Sequence, residues 1–231
     1  MRVFTSLGII VFSMLILGSM QLVPGVFSIF AHYAFGKYSQ KKASDLTLFF
    51  VIGAELIATI IILLVYFLIM ALSDTIEDLS IAIWILCGIL CSLSLASALF
   101  YFRKGAGTKL FIPRSLSKNL TTKAQLVKNR SDAFILGIIS IIPELIFTLP
   151  VYFIASLEIM KIGNTPISRA VLLFLIIISV ILPTVILYFR SKNYNLADYL
   201  KFRFKNKNFF RCAIIASYLA IVILILLEIL S

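Results

Sequence analysis

Charge is scarce in this sequence. Asp, Glu, Lys and Arg make up 13% of its 231 residues, about half the share in a typical soluble domain. Apolar residues reach 61%, well above the usual 45–50% or so, which excludes an ordinary water-soluble fold. Histidine is almost missing: His32 stands alone, so no His-x-x-x-His pair and no histidine cluster can hold a transition metal. Three cysteines, Cys87, Cys91 and Cys212, are too few for a disulfide framework and read as small buried apolar residues. The Gly-Ala-Gly-Thr-Lys run at 105–109 lacks the spacing of a phosphate loop. No Ser/His/Asp or Cys/His arrangement is visible either. Nothing here builds an enzyme, and no cofactor or metal is expected.

What the chain has in abundance is long apolar runs. Six are near the 20 residues that cross a bilayer as helix: Leu7–Phe35, Leu46–Leu72, Ile81–Phe102, Ala133–Leu157, Ala170–Phe189 and Cys212–Leu230. The expected fold class is therefore all-α, a polytopic membrane protein of six transmembrane helices. The first run follows Arg2 as a signal peptide would, but it lacks an Ala-x-Ala-like cleavage site and stays apolar to Phe35. It reads as a span.

Basic residues partition sharply among the connections. The first, third and fifth carry three, eight and seven Lys and Arg, which is 18 of the 21 in the chain. Positive-inside bias places these three connections in the cytoplasm and both termini outside the cell membrane. In a soluble protein a net charge of +11 would suggest nucleic acid. Here the basic, aromatic-rich stretch at 198–211 reads instead as an anchor against anionic membrane lipid, and no nucleic-acid partner is expected.

The two halves resemble each other. Residues 22–33 (LVPGVFSIFAHY) can be laid over 141–152 (IIPELIFTLPVY), matching Pro24 to Pro143 and Tyr33 to Tyr152. An odd number of spans per half makes the copies inverted, so the expected plan is two inverted three-helix repeats, 1–102 and 133–231, joined by a cytoplasmic linker, 103–132. In such plans proline-broken helices meet at mid-membrane and form the site. Proline inside a helix removes one hydrogen bond and clashes with the preceding turn, and the freed groups need a neighbour, water or an ion.

Two carboxylates lie inside the spans. Glu144 directly follows Pro143, and Glu55 lies in the second span. A charge at that depth costs roughly 2.5–3.5 kcal/mol on insertion scales, so each has a solute, cation or proton to hold, or is a neutral carboxyl bonding a broken backbone. Ser28 and Thr148 fall within about a turn of the prolines, where they line a site or bond their own helix. His32 is a proton-relay candidate or an interfacial side chain. The expected solute- or ion-binding set is Glu144, Glu55, Pro24, Gly25, Pro143, Ser28, Thr148 and His32.

At these residues the chain resembles a known family. VPGVFSIFAHYAFGKYSQKKASDLTLFFVIGAEL (23–56) and DAFILGIISIIPELIFTLPVYFIAS (132–156) are similar to the first two spans and the fourth span of the cytochrome-c-biogenesis (CcdA/DsbD) transmembrane family. The wider lysine-exporter (LysE) superfamily shares the three-plus-three plan and a proline-glycine such as Pro24-Gly25. The redox members carry a cysteine after each proline, where this chain has Gly25 and Glu144. The resemblance therefore implies transport of a small solute or ion, with export favoured, rather than thiol relay. A second reading stays open: a non-transporting scaffold or partner subunit, a homo-oligomer or one whose basic loops dock a cytoplasmic protein.

Overall fold

The structure is a computed structural model that describes residues 2–19, 22–72, 79–100, 114–163, 165–191 and 205–230. The acidic connection after the second span, the 105–109 run and most of the fifth connection lie outside these residues. Eight helices are described: α1 (Arg2–Ser19), α2 (Leu22–Lys37), α3 (Gln40–Leu72), α4 (Leu79–Phe100), α5 (Arg114–Leu126), α6 (Arg130–Ile162), α7 (Pro166–Ser191) and α8 (Lys207–Leu230). Among the described residues there is no strand, and the all-α expectation holds.

Five segments are long and apolar enough to cross a membrane: Val3–Lys37, which combines α1 and α2, then α3, α6, α7 and Cys212–Ile229 of α8. The third expected span, Ile81–Phe102, corresponds to α4, whose apolar stretch among the described residues is the shorter Ile85–Leu95. Among the described residues, five of the six expected spans are thus long and apolar enough to cross. Outer faces are apolar, with Phe4, Leu64, Ile146, Phe174 and Phe189 all more than half exposed. That suits a hydrocarbon surrounding rather than water.

Two further expectations change. In the first span, α1 is described to Ser19 and α2 from Leu22, with Pro24 near the start of the described part of α2. The fourth span is unbroken: α6 runs 33 residues with Pro143 and Pro150 inside it, so it is not the broken helix expected there. The linker at 103–132, expected only as a connection, contains α5. Leu120, Ala124 and Val127 form a buried apolar edge there, while Asn119, Thr122 and Lys123 are exposed.

The most extensive helix contact is α3 against α6. Both are 33 residues long, about 50 Å at 1.5 Å per residue, and both start at the same end of the molecule. Arg130 Nη2 donates to Asp45 Oδ2 at 2.6 Å there, and the Tyr38 hydroxyl donates to the Val127 carbonyl at 2.8 Å. Two glycines let the helices cross closely. A Cβ on Gly53 would strike the Phe134 carbonyl oxygen and lie 3.0 Å from its carbon; one on Gly137 would strike the Phe50 oxygen and lie 2.9 Å from the Ala54 nitrogen. Small residues that let backbones approach are how helices associate without a hydrophobic drive.

α1 packs on α8, α6 and α7; α8 also packs on α4; α2 packs on α3, α5, α6 and α7. The start of α1 meets the end of α8 where Gly8 faces Leu224. The end of α6 joins them, because Lys161 Nζ bonds Glu158 Oε1 at 2.8 Å and Glu228 Oε1 at 3.0 Å. The starts of α1 and α7 and the ends of α6 and α8 therefore share one end of the bundle. The cluster of Lys41, Lys42, Lys128 and Arg130 occupies the other.

Candidate functional site

The two mid-span carboxylates come together. Glu55 is the sixteenth of the 33 residues of α3, and Glu144 is the fifteenth of the 33 of α6. Both helices start at one end, and the close approach of Gly53 to Phe134 and of Gly137 to Phe50 and Ala54 sets their register, which leaves Glu144 about five residues, roughly 7 Å, further along than Glu55. Each is close enough to feel the other's charge. Thr184 of α7 reaches the Glu55 carboxyl as a hydrogen-bond partner. Glu55 is only 9% exposed, and its Oε2 is buried without a hydrogen-bond partner.

Glu144 reaches the backbone of α2. The backbone N–H of Val23, second in α2, donates to Glu144 Oε2 at 3.1 Å. The carboxylate of a facing helix thus accepts a main-chain donor beside Pro24. Tyr152 of α6 and Tyr218 of α8 stand within electrostatic range of Glu144. Both rings are buried, and Tyr218 donates its hydroxyl to the Phe147 carbonyl at 3.1 Å.

The other expected residues divide. Pro24, Gly25 and Pro143 are buried beside this carboxylate or next to it in sequence. Ser28 and Thr148 are buried, but their hydroxyls bond their own helices, at the Pro24 carbonyl (2.8 Å) and the Glu144 carbonyl (3.1 Å). His32 is not brought in. It is exposed nine residues beyond Val23, about 13 Å along α2, with its ring against Tyr33. The cysteines also differ from expectation. Cys87 is buried, but Cys91 and Cys212 are exposed.

Sequence reasoning missed Thr184, Tyr218 and the role of Val23. Thr184 directly follows Pro183 in a membrane-long helix, a signal of the same kind as Glu144 after Pro143. Also missed was a longer match between the halves. Ile16-Leu17-Gly18 and Ile135-Leu136-Gly137 are identical and share the 119-residue offset that relates Pro24 to Pro143 and Tyr33 to Tyr152. Both glycines lie at helix crossings. A Cβ on Gly18 would be 3.5 Å from the Ser179 carbonyl, the one that Pro183 cannot bond.

At the bundle end away from the basic cluster, Glu158 is 4% exposed and paired with Lys161, while its Oε2 is buried without a partner. No group of three His, Cys, Asp or Glu able to hold a metal occurs among the described residues. Compared with family models, curated proteins and solved structures, the chain matches none.

Proposed function

We propose that the chain is an integral membrane transporter that exports a small solute or ion, coupled to a proton or cation held between Glu144 and Glu55 at mid-membrane. One observation carries this reading. A buried carboxylate oxygen on α3 has no partner, and a second carboxylate on α6 lies within its electrostatic range. Two like charges at such a site favour sharing a proton or a cation between them. Tyr152 and Tyr218 are further titratable groups within electrostatic range of Glu144, and Thr184 supplies a neutral ligand beside Glu55. The relation to the cytochrome-c-biogenesis and LysE-like transporters belongs to the same proposal, resting on Pro24-Gly25 and Pro143 and on the glutamate where the redox members keep a cysteine.

The proposed architecture is six spans in two inverted repeats. What supports it is the pattern of helix contacts among the described residues. Exchanging the α1–α2 span with α6, α3 with α7 and α4 with α8 carries α3–α6 onto α7 with the first span. The same exchange carries α1–α8 onto α6–α4, and α2–α3 onto α6–α7, while the first span with α6, α3–α7 and α4–α8 map onto themselves.

The test reconstitutes the full chain in liposomes with a pH dye inside and imposes gradients of sodium, potassium and ammonium salts in turn. The parent should show cation-dependent proton movement, and Glu144→Gln should abolish it. Gln keeps an oxygen for the Val23 N–H but cannot ionise, so helix content and elution as a folded species should not change. Retained flux with unchanged pH dependence would make Glu144 a structural cap. A parent with no flux under any gradient would favour the scaffold reading.

A further inference from the structure

We infer that the basic end of the bundle holds a binding site for the phosphate headgroup of an anionic phospholipid, between the starts of α3 and α6. An open cavity of about 550 Å³ lies there, lined by Ser39, Lys41, Lys42, Lys128, Arg130 and Ser131, with Asp45 as the one carboxylate among its described lining residues. The volume is within the roughly 300–1,000 Å³ of small-molecule sites. Four cations against one carboxylate leave an excess of positive charge that only an anion can neutralise.

The existing contacts leave that excess in place. Asp45 is engaged by a single guanidinium nitrogen of Arg130, whose fork lies over the Phe49 ring and keeps further donors. Lys42 is held over the Tyr38 ring, 4.5 Å from its centre, which fixes the ammonium at the rim without cancelling its charge. Asp132, the nearest other carboxylate in sequence, is turned to the Lys128 and Asn129 N–H groups at 3.3 Å. The hydroxyls of Ser39 and Ser131 add neutral donors for phosphate oxygens.

Apolar tracks leading out of the cavity favour a lipid over free phosphate. On α3, helical spacing continues Asp45 into Phe49, Ile52 and Leu56, of which Ile52 and Leu56 are 42% and 47% exposed. On α6 it continues Ser131 into Ile135 and Ile142, 52% and 59% exposed. A headgroup seated among the lysines would lay its acyl chains along these tracks, in a membrane that the exposed apolar faces already require. The site is separate from Glu144 and Glu55 and does not depend on transport.

The test uses the full chain in detergent micelles. Native mass spectrometry and thermal unfolding are followed while dioleoylphosphatidylglycerol, dioleoylphosphatidylcholine or inorganic phosphate is added. Phosphatidylglycerol should bind at a defined stoichiometry and raise the unfolding midpoint, and the other two should not. The Lys41→Gln/Lys42→Gln/Lys128→Gln protein should bind it roughly 100-fold more weakly, at about fivefold per basic residue near an anionic lipid. Lys123→Gln/Arg190→Gln/Lys205→Gln removes the same charge from exposed positions at the same end of the bundle that do not line the cavity and should bind within about threefold of the parent. Equal loss in both triple variants would overturn the site in favour of diffuse attraction. Equal protection by inorganic phosphate would overturn the lipid assignment, and unchanged binding by the cavity variant would overturn both.

Discussion

Gly137→Ala adds one methyl group where the structure has no room for it. The new Cβ would strike the Phe50 carbonyl oxygen and sit 2.9 Å from the Ala54 nitrogen and 3.2 Å from the Phe50 carbonyl carbon. All three are backbone atoms of α3, so no side-chain rotation relieves the clash. α3 and α6 must separate, and the packing of their long contact degrades with them. Overpacking of this kind costs about 1–3 kcal/mol, and a rigid backbone obstacle places it at the upper end. Alanine returns about 1 kcal/mol over glycine inside a helix. The net expectation is a loss of about 2 kcal/mol. Gly88→Ala isolates the helix-propensity part, because nothing lies within 4 Å of its added Cβ; it should gain up to about 1 kcal/mol. Unfolding of the full chain in mixed micelles against rising dodecyl sulfate, followed by far-ultraviolet circular dichroism, measures both. If Gly137→Ala is as stable as the parent while Gly88→Ala gains, the close crossing of α3 and α6 is not there. Because that crossing also brings Glu55 and Glu144 together, Gly137→Ala should impair any flux the parent carries.

Lys161→Met should destabilise by about 1–3 kcal/mol. It strands the buried Glu158 carboxylate, for which the usual penalty is about 3–5 kcal/mol, reduced here because the ammonium is 37% exposed. Adding Glu158→Gln should recover most of that loss, and a recovery of less than a quarter would show the pair to be uncoupled. For topology, single cysteines at Gln125 and Thr165 in a Cys-free background mark opposite ends of the bundle. An impermeant thiol reagent should label Thr165→Cys in intact cells and Gln125→Cys only after permeabilisation. The opposite pattern would reverse the positive-inside assignment.

Helices were legible in the sequence where hydrophobic length alone decides. The runs Leu46–Leu72, Ala133–Leu157, Ala170–Phe189 and Cys212–Leu230 correspond to α3, α6, α7 and α8, each starting three to six residues earlier. The difference has a simple origin. An apolar count stops at Asp45 or Asp132, but backbone hydrogen bonds continue through charged residues until a cap ends them. At α6 that cap is Asn129 with Asp132 three residues on, a capping box readable from sequence. α5 escaped because its sequence is mostly polar and only one narrow edge is buried. Glu144 and Glu55 were legible as costly residues, since their chemistry alone marks them. Their meeting was not, because it depends on Gly53 and Gly137, 84 residues apart, letting two helices cross.

The two matched prolines show where sequence symmetry stops determining structure. Pro143 lies deep in α6, with three turns of helix before it. It leaves the Ile139 carbonyl without its usual bond, yet α6 holds its course because α3 grips it at Gly137 and Tyr218 bonds it at Phe147. Pro24 lies near the start of the described part of α2, and the Val23 N–H beside it donates to Glu144, next to the other proline. The two matched prolines therefore meet through one hydrogen bond between a main-chain donor and a costly carboxylate. A hydrogen bond to a charged acceptor contributes about 1.5–3 kcal/mol, and a proton or cation on Glu144 would weaken it. Occupancy of the carboxylate and its hold on α2 are thus linked, and a ligand that takes the charge loosens the bond.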